Sequence, residues 1–210
     1  AAPVDGAGPR IALINKKVEQ THLALHLPGL ARDHADRFIL GLLNVILGEG
    51  MSSRLFLEIR ERLGLAYAVD SYVSHLADTG VTGVYAAVAP DRALEALSAI
   101  LAQLQRLRVE PVDARTLHSA KEYVKGRMLL GLEDTMAVSG WFGRQEALGG
   151  ERLTVEQIME RVAAIDAEEL MRVAQQLFQA GQSRLAIVGP HKRRDEARFQ
   201  ALLANGPLAA

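Results

Sequence analysis

The sequence predicts an α+β fold, a largely antiparallel sheet with helices packed on one face. Three observations carry this. A short apolar run and an alternating segment open the chain, a Val- and Tyr-rich hairpin follows, and the remainder is mostly helical with one closing strand.

The elements follow in order. Arg10 to Asn15 is a short apolar strand, and Lys16-Lys17 a turn. Residues 19–27 alternate, with Gln20, His22, Ala24 and His26 on one face and Thr21, Leu23, Leu25 and Leu27 on the other. Pro28-Gly29 ends this half-buried strand. Asp33 is the expected N-cap of the first helix, with Asp36 adding charge near its positive end. That helix places Ala35, Phe38, Ile39, Leu42, Leu43 and Ile46 on one side, and Gly48 suits its C-terminus. A second helix, about 53–63, buries Leu55, Phe56, Ile59 and Leu63 and closes at Gly64, with Ser52 and Ser53 as caps. Strands at 67–75 and 81–89 flank the turn residues 77–80 and form an antiparallel pair.

Pro90-Asp91 opens a helix with Leu94, Leu97, Leu101 and Leu104 on one stripe and arginines at its end. Pro111 fits the first turn of a helix to about Leu132. Another helix spans about 135–148, closed by Gly149-Gly150. Thr154 with Gln157 makes a capping box for a helix to about Ala164, and Asp166 with Glu169 starts one ending near Gly181. Residues 183–188 form the closing strand, and a helix at about 193–203 follows. The expected division is a linker-like segment at 1–9, one domain at 10–204 and a flexible tail at 205–210.

Composition excludes several classes. The chain has 210 residues and a formal net charge of −1, so no global field draws it to nucleic acid or an acidic membrane. It has no cysteine, which excludes disulfides, thiolate metal sites and a cysteine nucleophile. The longest apolar run, 38–47, is too short to span a bilayer, no signal peptide is visible, and a cytoplasmic location is expected. The linker-like start, without Met, suggests a piece of a longer or processed protein.

Six histidines are the obvious metal candidates. His22 and His26 have a four-residue spacing that suits zinc on a helix, but on a strand it spans roughly 13 Å, too far for one metal. H-x-x-E-H, G-x-S-x-G and a phosphate loop are all absent. Arg60 and Tyr67 remain. At about 100° per residue, Arg60 lies roughly 85° from the centre of its helix's apolar stripe, at the edge of the buried face. Tyr67 begins the next strand, and both can donate hydrogen bonds into one crevice.

The stretch Gly50-Met51-Ser52-Ser53-Arg54-Leu55-Phe56, Glu58-Ile59-Arg60 and Gly64-Leu65-Ala66-Tyr67 closely resembles the second-half signature of pitrilysin/insulinase-type zinc metallopeptidases, the group that includes mitochondrial processing peptidase. Residues 18–29, 81–90, 165–170 and 184–190 agree in order. The resemblance implies two similar halves around a chamber. The first half holds zinc through H-x-x-E-H, whose glutamate is the general base. The second supplies an arginine and a tyrosine, here Arg60 and Tyr67, to hydrogen-bond the substrate backbone and the oxyanion of the tetrahedral intermediate. The substrate would be an extended peptide.

Lacking H-x-x-E-H, this chain alone is predicted inactive and without a cofactor of its own. Zinc is expected in the complementary half, which is either an N-terminal domain of the same protein or a partner subunit in a homo- or heterodimer. The alternative is a catalytically inactive scaffold or peptide-binding subunit.

Overall fold

The computed structural model describes residues 10–149 and 151–209. The linker-like segment at 1–9, Gly150 and Ala210 lie outside them. Five strands form one sheet in the order β1-β5-β2-β4-β3. They are β1 (Arg10–Asn15), β2 (Thr21–Pro28), β3 (Ala66–His75), β4 (Gly80–Val88) and β5 (Arg184–Gly189). Only β1 and β5 run parallel, and every other pairing is antiparallel.

Alternation decides which face is covered. Along β2, Thr21, Leu23, Leu25 and Leu27 are buried, while His22, Ala24, His26 and Pro28 are half-exposed. Register carries the same division across the sheet. Leu25 sits between Val84 and Leu185, with Ser71 beyond Val84, all buried. Helices pack on this inner face. They are α1 (Arg37–Gly48) over β3, α2 (Ala93–Val109) against β2, and α7 (Arg193–Asn205) beside β1. Around them lie α3 (Ala114–Gly131), α4 (Thr135–Leu148), α5 (Val155–Ala164) and α6 (Ala167–Leu177). Leu42, Leu43, Leu97, Leu101, Leu104, Leu170 and Val173 fill the centre. The outer face carries no helix among the described residues, and Tyr72 lies across Gly83 there, where a Cβ would collide with its ring. No helix among the described residues is long and apolar enough to cross a membrane.

Both expected capping boxes form. Thr154 pairs with Gln157, and Asp166 with Glu169. Other boundaries differ. Asp33 caps nothing, because α1 starts four residues later and Ala35 is left exposed. Asp36, directly before α1, makes no cap either, since its carboxylate accepts two hydrogen bonds from Arg172 of α6 at 2.7 and 3.0 Å. Pro111 precedes α3, whose cap is Asp113 accepting from the Thr116 N–H at 2.9 Å. The helix after Asp166 stops at Leu177, short of Gly181. The expected flexible tail folds back as a turn, Pro207–Ala209. Its Leu208 is buried, and the Leu208 carbonyl accepts from Arg108 at 2.9 Å.

Gly48 is also explained differently. It is the last helical residue, not a left-handed cap, and the positive φ falls on Gly50 (86°). What position 48 requires is space. A Cβ there would lie 2.5 Å from both the backbone nitrogen and Oγ of Ser71. At Gly41, by contrast, a Cβ would meet nothing within 4 Å.

Gly48→Ala is expected to destabilise the fold by at least about 1–3 kcal/mol, because backbone must shift. Gly41→Ala should stabilise by roughly 0.5–1 kcal/mol through helix propensity. Urea unfolding of the two variants checks both signs. Arg172 holds the Asp36 carboxyl below its ordinary value near 3.8. The stability this adds is present above that value and lost as pH falls through the depressed one. Asp36→Asn should cost up to about 1 kcal/mol at neutral pH, given the half-exposed partner. The difference from wild type should shrink towards zero below pH 3.8.

Candidate functional site

Arg60 stands on a π-helix, Phe56–Arg62, in place of the α-helix expected at 53–63. Leu63 N–H reaches back five residues to the Glu58 carbonyl at 3.0 Å. Leu65 N–H then bonds the Ile59 carbonyl at 2.9 Å, a reversal that Gly64 permits with φ 58°. The wider turn replaces the 100° rotation assumed from sequence. Leu55 and Ile59 are fully buried, while Phe56, Arg60 and Leu63 are half-buried. Ser53 does not cap this helix. Its buried hydroxyl donates to the Gly50 carbonyl at 2.7 Å and closes the preceding turn.

Tyr67 sits on a second irregularity. Ala66 pairs with Val88 and Ala68 with Ala87, so Tyr67 is the extra residue of a β-bulge. A bulge re-aims the side chain it carries. Tyr67 is 77% exposed, on an edge strand.

The two irregular segments bring the predicted pair together. The Arg60 guanidinium carbon lies 5.0 Å from the Tyr67 ring centroid and 4.9 Å from that of Phe56. Both aromatic contacts are of cation–π type. The charge is otherwise lightly engaged, with Glu61 at 3.8 Å. Neighbouring Arg62 is committed to Glu58, whose carboxyl it holds below the usual range. Arg60 thus keeps donors for a ligand. It borders, with Tyr67, a shallow cleft of about 370 Å³ at the end of the sheet, between Gln20 and Ala89.

Phe56 is the member of this arrangement that sequence reading assigned only to the core. The available signal was its place one turn before Arg60. Tyr72 and Tyr85 were missed as well. On the outer sheet face, His22 Nδ1 is 2.7 Å from the Tyr85 hydroxyl and His26 Nε2 2.5 Å from that of Tyr72. Partial desolvation raises the carboxyl of Asp70, which is itself exposed and is paired with Tyr85 in register. These side chains do not fit a zinc site. His22 and His26 are spent on separate tyrosines, and no group of three His, Asp or Glu among the described residues could hold a metal ion.

Residues 1–124 match the family described as the peptidase M16 inactive domain. An uncharacterized zinc protease of Streptomyces coelicolor is 37% identical over 198 residues, covering 94% of this chain and 43% of the relative. One from Bacillus subtilis is 34% identical over 175 residues, covering 83% and 42%. A protease from Helicobacter pylori superposes with a TM-score of 0.79 at 26% identity, covering 87% of this chain and 44% of that one. A peptidase M16 inactive domain from Pseudomonas fluorescens gives a TM-score of 0.82 at 21% identity, covering 90% and 45%, a likeness of fold. The chain therefore spans less than half the length of these relatives.

A double-mutant cycle tests the stacked arrangement itself. Arg60→Gln and Tyr67→Leu should show a coupling energy of about 0.5–1 kcal/mol in urea unfolding of the chain. Strictly additive effects would mean that the two side chains do not meet in solution.

Proposed function

The chain belongs to the peptidase M16 inactive-domain family, and from that premise we propose that Arg60 and Tyr67 complete the active site of a zinc endopeptidase whose metal is held by another domain or subunit. The observation that carries this reading is the guanidinium of Arg60 in contact with two rings, Phe56 and Tyr67, beside an open cleft. A long arginine side chain is costly to order at the moment of reaction. Here Phe56 and Tyr67 restrict it in advance. Its planar fork then offers N–H donors to a peptide carbonyl, and the Tyr67 hydroxyl offers another.

Such donors accelerate amide hydrolysis when they bind the oxyanion of the tetrahedral intermediate more strongly than the ground-state carbonyl. One preorganised donor is worth about 3–4 kcal/mol of barrier. The exposure of Tyr67 supports a site that closes only when a second surface covers it. Excluding water there strengthens each hydrogen bond. The zinc and general base belong to the complementary half, and the substrate is an extended peptide.

In the complete enzyme, Arg60→Ala and Tyr67→Phe should each lower kcat by about 10²–10³, with unchanged circular dichroism. Arg60→Lys should recover little, since an ammonium cannot reproduce the fork. A cleavage assay of this chain alone, of the zinc-bearing half alone, and of the mixture should show activity only in the mixture. Wild-type turnover in both variants would sink the assignment and leave a peptide-binding scaffold.

A further inference from the structure

A second cavity, of about 350 Å³, opens between the start of α1, the helix α4 and the segment around Leu153. It borders Ala77, beyond the far end of β3 from Tyr67. β3 is ten residues long, which puts the cavity roughly 30 Å from the Arg60–Tyr67 cleft.

Its lining combines two chemistries. Arg32, Arg37 and Arg144 are cationic, and Phe38, Trp141 and Leu148 are apolar. Two of the arginines have spare donors. The Arg32 guanidinium makes no ion pair among the described residues, and its Nη1 has no hydrogen-bond partner. Arg144 makes no ion pair among the described residues. Arg37 is partly engaged, stacked on Phe38 at 4.4 Å and 3.7 Å from Glu151.

Two carboxylates also border the cavity. Glu151 is bound by Arg161 as well as Arg37, and its carboxyl is held below the usual range. Asp33 lies exposed at the rim. Three arginines against these two acids leave the lining net positive. The α4 wall is fastened by a reciprocal pair. Leu153 N–H donates to Gln145 Oε1 at 2.8 Å, and Gln145 Nε2 donates back to the Leu153 carbonyl at 3.3 Å. Yet α4 has no buried residue, so Trp141 and Leu148 offer uncovered apolar surface beside unused charge.

We propose that this cavity binds the free α-carboxylate end of a peptide whose last side chain is apolar. The carboxylate is taken by Arg32 and Arg144, and the side chain lies against Phe38, Trp141 and Leu148. The choice of a peptide over other apolar carboxylates rests on the peptidase reading proposed for the complete protein, not on the individual roles given to Arg60 and Tyr67. A bidentate guanidinium–carboxylate contact gives the selectivity for a free end over an internal peptide bond.

Trp141 is the only tryptophan in the chain, so its fluorescence reports on this cavity directly. The full 210-residue chain is titrated with N-acetyl-Leu-Leu, its C-terminal amide, sodium hexanoate and inorganic phosphate. The expected result is a saturable change in emission with the free acid, and at least about tenfold weaker binding for the amide. Hexanoate and phosphate should also bind more weakly than the free acid. Arg144→Gln should weaken the free acid about tenfold. Leu148→Glu, at a position 54% exposed, should abolish binding without disturbing the fold.

No saturable change, or equal binding of the amide, would overturn the carboxylate site. Hexanoate binding as tightly as the peptide would overturn the peptide assignment, and phosphate doing so would overturn the apolar half of it. Wild-type affinity in Leu148→Glu would place the ligand elsewhere. None of these outcomes bears on Arg60 or Tyr67, whose variants should bind the free acid as wild type does.

Discussion

Ser71 occupies the space that a side chain at position 48 would need, and much of the site's geometry follows from that contact. The C-terminal end of α1 touches the middle of the edge strand β3 with no layer between them. Polar groups buried there are satisfied locally. The Ser71 hydroxyl donates to Asn44 Oδ1 at 2.8 Å, and Asn44 Nδ2 donates to Glu49 at 3.1 Å. Glu49 is paired in turn with Arg127 of α3. An unpaired Asn or Ser at this depth would cost about 1–3 kcal/mol, so the network ties α1, β3 and α3 to one relative position.

With both ends fixed, the connection from Glu49 to Leu65 must leave α1, bury Leu55 and Ile59, and still enter β3 in register. It does so through two departures from regular structure, the π-helix and the bulge at Tyr67. Each sacrifices ordinary pairing, and irregularities of this kind concentrate where a side chain has to be aimed. Their common product is the contact between Arg60 and Tyr67. Phe56, on the first turn of the π-helix, adds a second ring 4.9 Å from the guanidinium carbon. The inner face of the sheet is thus devoted to stability, while the cleft lies at its end, where backbone and side chains are free to meet another surface.

Much of this organisation was legible in the chain. The alternation 21–27 marked the buried face of β2, and S/T/D-x-x-E/Q patterns marked the starts of α5 and α6. These are local rules, satisfied by neighbouring residues whatever the rest of the fold does. Predictions failed where a distant partner competed. Asp36 would strengthen a helix start, but Arg172, 136 residues away, holds its carboxylate. Pro111 failed for a local reason instead, since Asp113, two residues on, is the cap. Leu208 looked like part of a loose tail, yet it is a buried apolar side chain whose carbonyl serves Arg108.

For the stretch from Gly48 to Val69, the sequence by itself singled out Arg60 and Tyr67 as candidates and set the order of the elements that bear them. A glycine-flanked turn, a helical segment bearing Arg60 and a strand opening with Tyr67 are written in residue types and spacing. Only the tertiary structure decided how they meet. Periodicity assumes a regular helix and a regular strand, and neither is regular here. The helix widens to a π turn and the strand bulges, while Ile59 stays buried and α1 and β3 stay in contact. Nor could local pattern assign Phe56, since a half-buried aromatic reads as core until the position of the guanidinium beside it is known.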